Sequence, residues 1–307
     1  MTGDGPEVGR VRRLLRYAAA LVVLLTGVLL SVPLGALCGT AGRERLIRRW
    51  TRSVVAAFGV RVRLPEPAPR EPGRGLLVVS NHVSWLDVPL IAAVFPGRNV
   101  AKREIRDWPV IGRLCVRGRT IFIDRERIRS LPDTVAEIAQ ALRSGATVVA
   151  FPEGSTWCGR EEGRYRRALF QAALDAGADV QPLLIRYRHA DGTPSTEAAF
   201  LGEDTLMDSV RRVVAARGLS AEVAAFPRIA ANALPDRRSL AAAARHACVV
   251  PAPRAAVPLQ AGPHQGGTGG RTGAPPAGRT SGKRERAAPR SSTARSRTAS
   301  TRTGRAT

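Results

Sequence analysis

Val78-Val79-Ser80-Asn81-His82-Val83-Ser84-Trp85-Leu86-Asp87 is the stretch on which the reading of this chain turns. An apolar run of strand type ends here, and Asn-His follows at once. The carboxyl ends of strands are where α/β sheets place ligand sites. An imidazole accepts a proton near neutral pH, which suits His82 to general-base work. Asp87 follows five residues later. On one continuous helix the two side chains would point about 140° apart. A turn between them instead lets the chain fold back and set the carboxylate against one imidazole nitrogen. That leaves the other nitrogen for a substrate hydroxyl. The plainer alternative is that Asn81 and His82 cap a helix and Asp87 is a surface acid.

Working outward, short β-rich runs recur at 76–80, 98–101, 120–123, 147–151 and 180–187. Helical stretches are predicted between them at about 85–95, 107–116, 131–144 and 163–177. A helix near 204–217, a strand near 220–226 and a helix near 236–248 follow. Alternating strands and helices predict an α/β fold, a largely parallel layered sheet with helices on both faces. Residues 62–74 are rich in Pro and charge and read as a linker or surface loop.

A second polar turn closes another apolar run: Val148-Val149-Ala150-Phe151-Pro152-Glu153-Gly154-Ser155-Thr156. Glu153 beside Gly154 lets a carboxylate and backbone amides approach a ligand closely. A plain Pro-Glu-Gly turn is the bland alternative. No Gly-x-Ser-x-Gly elbow is present, so the acceptor itself would be the nucleophile.

The chain ends differ from this middle. Arg10, Arg12, Arg13 and Arg16 precede a charge-free apolar stretch from Tyr17 to Cys38. As a helix it would reach about 33 Å, enough for a bilayer core of about 30 Å. It reads as a membrane anchor rather than a signal peptide, because strongly basic sequence follows it. Both flanks are basic, so orientation stays open, and Pro33 and Gly35 also permit a re-entrant hairpin. Leu46, Trp50, Val54 and Phe58 recur every fourth residue with arginines between, as in a helix lying in a headgroup layer. An ordinary helix packed on a core fits the same pattern. From Pro251 onward large apolar residues almost vanish, and this segment is predicted to be disordered. The organisation expected is therefore an anchor and amphipathic helix over 1–60, a catalytic domain over 61–250, and a basic tail over 251–307.

Charge narrows the partners. Lys and Arg number 48 against 25 Asp and Glu, a formal net charge of +23 over 307 residues. The tail alone holds eleven basic residues and one acid. Such a balance points to anionic lipid, an anionic substrate or nucleic acid. The tail has no aromatic residue for base stacking, so no nucleic acid is expected. Four cysteines without CxxC spacing read as neither a disulfide framework nor a zinc site, and with four histidines and no HExxH no metal is expected. Cys158 has no histidine close in sequence to activate it. Trp85 and Trp108 fit an acyl path or simple core packing.

Four blocks in order resemble the glycerolipid acyltransferase family, which includes the lysophosphatidic acid acyltransferases. Asn81-His82-x4-Asp87 is the first. Thr120-Ile121-Phe122-Ile123-Asp124-Arg125 is similar to the second. Phe151-Pro152-Glu153-Gly154-Ser155 is similar to the third, and Val180-Gln181-Pro182-Leu183-Leu184 to the fourth. The resemblance runs from about residue 40 to 225. It implies His82 and Asp87 as the catalytic pair. It also implies Asn81, Arg125, Phe151, Glu153, Gly154 and Ser155 as substrate-binding residues, with Arg125 on the acceptor headgroup. The fourth block belongs near the acyl donor.

Two departures touch the headgroup site. The third block of the family continues Gly-Thr-Arg, but Gly154-Ser155-Thr156 stands here, and Arg160 is the nearest arginine after it. The glycine three residues before Phe122 is Arg119.

The function so implied is transfer of a fatty acyl group to a lysolipid hydroxyl, with 1-acylglycerol-3-phosphate as the leading acceptor in phospholipid synthesis. The donor would be acyl-CoA or acyl carrier protein, with no cofactor. Lyso-ornithine lipid or another lysolipid is the alternative acceptor. The alternative of another class is an inactive, basic, membrane-binding protein. Because acyl donors are made in the cytosol, the expected place is the cell membrane, with the catalytic domain on its cytoplasmic face.

Overall fold

Apolar runs of four to six residues have only one way to satisfy their backbone and bury both faces: pairing side by side under helices. The computed structural model describes residues 5–249, apart from 38, 67–70, 72, 125–127, 160–162 and 201–203. The tail over 251–307, Arg125 and Arg160 therefore lie outside the described residues.

Seven described strands form one sheet: β1 (Arg61–Arg63), β2 (Leu76–Ser80), β3 (Arg98–Lys102), β4 (Ile121–Ile123), β5 (Thr147–Ala150), β6 (Asp179–Arg188) and β7 (Ser220–Ala225). Their order is β1-β7-β6-β2-β5-β3-β4. Only β6 and β7 pair antiparallel; the other neighbours run parallel. The sheet is thus mixed. β2 sits at its centre between β5 and β6, so its carboxyl end opens between two chain directions of connection, where α/β sheets leave a crevice.

Alternation along β2 builds the two cores. Leu76 and Val78 join one cluster with Val54, Leu90, Ile91, Ile185, Tyr187 and Val213. Leu77 and Val79 join the other with Ile138, Leu142, Phe170 and Leu240. The first layer holds α1 (Arg10–Leu37), α2 (Thr40–Ala57), α3 (Asp87–Ala92) and α7 (Leu206–Ala215). The opposite layer holds α5 (Leu131–Arg143), α6 (Ala168–Ala176) and α8 (Arg237–Val249). A short α4 (Ile111–Arg117) lies beyond β3.

Several expected boundaries move. Residues 62 and 63 are not linker: with Arg61 they pair with β7 as an edge strand. The helix expected over 85–95 is only Asp87–Ala92, because the chain turns at Trp85-Leu86 first. The one expected over 107–116 splits into a 3₁₀ turn at Arg103–Asp107 and α4, with Pro109 between them. The helix expected from 163 starts at Ala168, since Gly163 and Arg166 donate their amides to Glu153 and the Pro152 carbonyl.

The amphipathic α2 does not present its apolar stripe outward. Val54, Val55 and Phe58 enter the first core, and the Trp50 indole donates to the Val23 carbonyl of α1. α1 is fastened at its start, where Arg16 donates to the carbonyls of Val214 and Ala216. Its other side exposes Leu14, Leu15, Leu21, Val22, Leu25 and Leu29. Among the described residues no helix is long and apolar enough to cross a membrane.

Candidate active site

The carboxyl ends of β2, β5 and β6 meet around one cleft of about 200 Å³. Its walls include Asn81, His82, Val83, Glu153, Trp157, Leu184 and Arg186. β2 delivers Asn81 and His82, the turn after β5 delivers Glu153, and β6 passes on the far side.

His82 Nδ1 lies 2.9 Å from Asp87 Oδ2. Ionised Asp87 can only accept, so Nδ1 carries the proton and Nε2 presents its lone pair. The turn at Trp85-Leu86 makes this contact possible, as the five-residue spacing required. The same Asp87 Oδ2 accepts the amides of Val83 at 2.7 Å and Ser84 at 2.8 Å. Asp87 Oδ1 accepts the Tyr187 hydroxyl at 2.6 Å. Asp87 is wholly buried, and a buried carboxylate is tolerable only with such a set of donors. Burial, and then the neighbouring Asp87 charge, push the Tyr187 phenol well above its ordinary value, so it remains a donor. The His82 ring stacks on Phe151, with centroids 3.9 Å apart and planes 15° apart. The imidazole is thus held on one edge by Asp87 and on one face by Phe151, and keeps 21% of its side-chain surface exposed.

The remaining expected site residues divide. Asn81 spends its amide on the sheet: Nδ2 donates to the Ile185 carbonyl at 3.0 Å, and Oδ1 accepts the Ile185 amide at 2.8 Å. It extends the β2–β6 ladder by one side chain and so sets where His82 stands. Glu153 is buried, with Oε2 accepting the His82 amide at 2.9 Å and Oε1 the Gly163 amide at 3.1 Å. Its carboxylate ties three segments together at the cleft wall. Gly154 adopts φ +78, and a Cβ there would lie 2.6 Å from Arg166 Nε. The left-handed backbone is what favours glycine at this turn, since the Arg166 side chain could move aside. Ser155 is exposed and is not among the residues that line the cleft. Trp85 packs edge-on against Phe58, and Trp108 is exposed beside α4.

Tyr187 and Arg186 were not anticipated. The signal was present in Leu183-Leu184-Ile185-Arg186-Tyr187: period-two alternation buries Tyr187 with Ile185, and a buried phenol needs a partner for its hydroxyl. Arg186 falls on the alternate face.

Comparison with known proteins places the chain in a family. Residues 59–186 match the Acyltransferase family. The chain is 35% identical over 246 residues to the lyso-ornithine lipid O-acyltransferase of Pseudomonas aeruginosa, covering 78% of this chain and 93% of that protein. It is 36% identical over 158 residues to the 1-acyl-sn-glycerol-3-phosphate acyltransferase of Neisseria meningitidis serogroup B, covering 52% of this chain and 62% of that one. Among solved structures, the 1-acyl-sn-glycerophosphate (LPA) acyltransferase PlsC of Thermotoga maritima superposes with a TM-score of 0.55 at 16% identity. That match covers 77% of this chain and 91% of that one, and is a likeness of fold.

Proposed function

The chain belongs to the glycerolipid acyltransferase family, and from that premise we propose that His82 and Asp87 catalyse acyl transfer from a thioester to a lysolipid hydroxyl. The observation that carries this is the oriented imidazole: Nδ1–H fixed on Asp87 at 2.9 Å, with Nε2 left for a proton at the cleft. Nε2 removes the proton of the acceptor hydroxyl as its oxygen attacks the thioester carbonyl. A tetrahedral oxyanion forms, collapses and expels the thiolate, which takes up the proton from the imidazolium. Asp87 stabilises that imidazolium without accepting its proton. No acyl-enzyme is required.

The donor is acyl-CoA or acyl carrier protein, as substrate rather than cofactor. 1-Acylglycerol-3-phosphate is the leading acceptor, placing the reaction in phospholipid synthesis. Lyso-ornithine lipid is the second reading, favoured by the relative that matches over the greater length and by neutral Thr156 at the third block.

Membrane attachment belongs to the same proposal. The exposed leucines of α1 supply an apolar face, and the excess of arginine supplies attraction to anionic lipid. Lysolipid acceptors reside in the bilayer and acyl donors in the cytosol, which assigns the cleft to the cytoplasmic face of the cell membrane.

The test is transfer of radiolabelled acyl groups by purified protein in detergent, from acyl-CoA and from acyl carrier protein. Lysophosphatidic acid, lyso-ornithine lipid, lysophosphatidylcholine and lysophosphatidylglycerol are offered side by side. His82→Ala should lower kcat by on the order of 10²–10⁴-fold while leaving vesicle binding intact. Full turnover by that variant would exclude the mechanism. Vesicle binding by wild type without any transfer would instead identify an inactive membrane-binding protein.

A further inference from the structure

Arg186 is a cation of the reaction cleft whose side chain finds no partner among the described residues. On β6 it lies between Ile185 and Tyr187, which turn into the first core, while Arg186 lines the cleft with His82. The bonds between Asn81 and Ile185 tie together the two segments that carry His82 and Arg186, and both residues line the one cleft. Directly across the antiparallel pair stands Glu222, but its carboxylate is engaged by Arg188 Nε at 3.4 Å. Arg63 occupies the matching position of β1 on the other side of Glu222, so this row of the sheet already carries more guanidinium than carboxylate. Among the described residues the Arg186 side chain makes no hydrogen bond or ion pair, is exposed, and is the only cationic side chain of the cleft wall.

We propose that Arg186 binds the anionic group that an acceptor lysolipid carries a few bonds from its reacting hydroxyl, and so selects anionic over neutral acceptors. The assignment rests on the acyl-transfer reading. A guanidinium pairs with phosphate or carboxylate through two parallel N–H donors. Both candidate acceptors offer such a group close to the hydroxyl, as a phosphate monoester or as a carboxylate. The phosphate of a thioester donor is separated from its carbonyl by a whole pantetheine arm. A cleft of about 200 Å³ that holds both His82 and Arg186 fits the short spacing and not the long one.

Steady-state kinetics of Arg186→Gln and Arg186→Lys test this, with acyl-CoA and three acceptors: lysophosphatidic acid, lyso-ornithine lipid and uncharged monoacylglycerol. Arg186→Gln should raise KM for the anionic acceptor that wild type uses by on the order of ten- to a hundredfold. Its kcat should stay within about threefold, because the contact is made in ground and transition states alike. Donor KM and monoacylglycerol turnover should not move, and Arg186→Lys should recover part of the loss. The anionic acceptor with the larger effect identifies phosphate or carboxylate as the group bound. A raised donor KM, an equal loss on monoacylglycerol, or unchanged acceptor KM would overturn the assignment while leaving acyl transfer standing. Wild type that acylates none of the three would overturn the acyl-transfer reading, and this assignment with it.

Discussion

Asp87 shows how much one buried carboxylate has to satisfy. Two of its donors are amides of the turn that it closes, one is His82, and the fourth is Tyr187 from a strand a hundred residues later. The backbone donors hold the carboxylate in place, while Tyr187 fixes its rotation and therefore the edge offered to His82. Tyr187 is a positioning residue, since it reaches the chemistry through Asp87. Tyr187→Phe removes one donor to a charged group and should lower kcat by about tenfold with acceptor KM nearly unchanged. The same substitution has a pH signature. The folded-state phenol titrates above its ordinary value, so its contribution to stability is complete below about pH 10 and is lost as pH rises beyond it. Thermal unfolding followed from pH 8 to 11 should show wild type losing stability above pH 10 more steeply than Tyr187→Phe. Parallel curves would mean that the phenol titrates elsewhere.

At the scale of elements, the turn before β4 holds backbone strain. Arg119 is exposed with φ 54, in the left-handed region that glycine adopts freely and other residues at a cost. Its amide closes the turn on the Val116 carbonyl, and Thr120 then donates its amide to the Cys115 carbonyl, so the end of α4 imposes this conformation. This is the position where the resembling family has glycine. Arg119→Gly should therefore stabilise the fold by about 0.5–1 kcal/mol, read as a rise in the midpoint of urea unfolding at constant slope. An unchanged or lowered midpoint would show that the arginine side chain compensates for its backbone.

At the scale of the whole molecule, the apolar face of α1 is the feature that the catalytic domain does not bury. α1 joins the domain through Arg16, Trp50 and Ala20, which leaves Leu21, Leu25 and their neighbours on the outside. On the membrane-attachment reading these leucines enter the acyl boundary. Leu21→Glu with Leu25→Glu should weaken sedimentation with anionic vesicles by on the order of tenfold or more, with acyl transfer in detergent retained. Equal binding by wild type and this variant would move the attachment site to another surface.

Local pattern was enough for six of the seven described strands and the α/β class, and it offered the pairing of His82 with Asp87 as one of two readings. Those features depend on short-range chemistry: apolar runs of strand length, and a five-residue spacing that only a turn can close. Of the boundaries that moved, those at 85 and 109 follow a turn closed on Asp87 and a proline, whereas at 163 the Glu153 carboxylate and the Pro152 carbonyl, ten and more residues away, take the amides. Asn81 and Glu153 were legible as site residues but not in their manner of acting, because their partners are Ile185 and Gly163. The partner of Tyr187, the cleft that Arg186 lines and the choice between the two readings of α2 were decided by the tertiary structure. Each depends on which strand or helix lies alongside, and the crossover that lays β6 against β2 is a property of the packed sheet rather than of any segment.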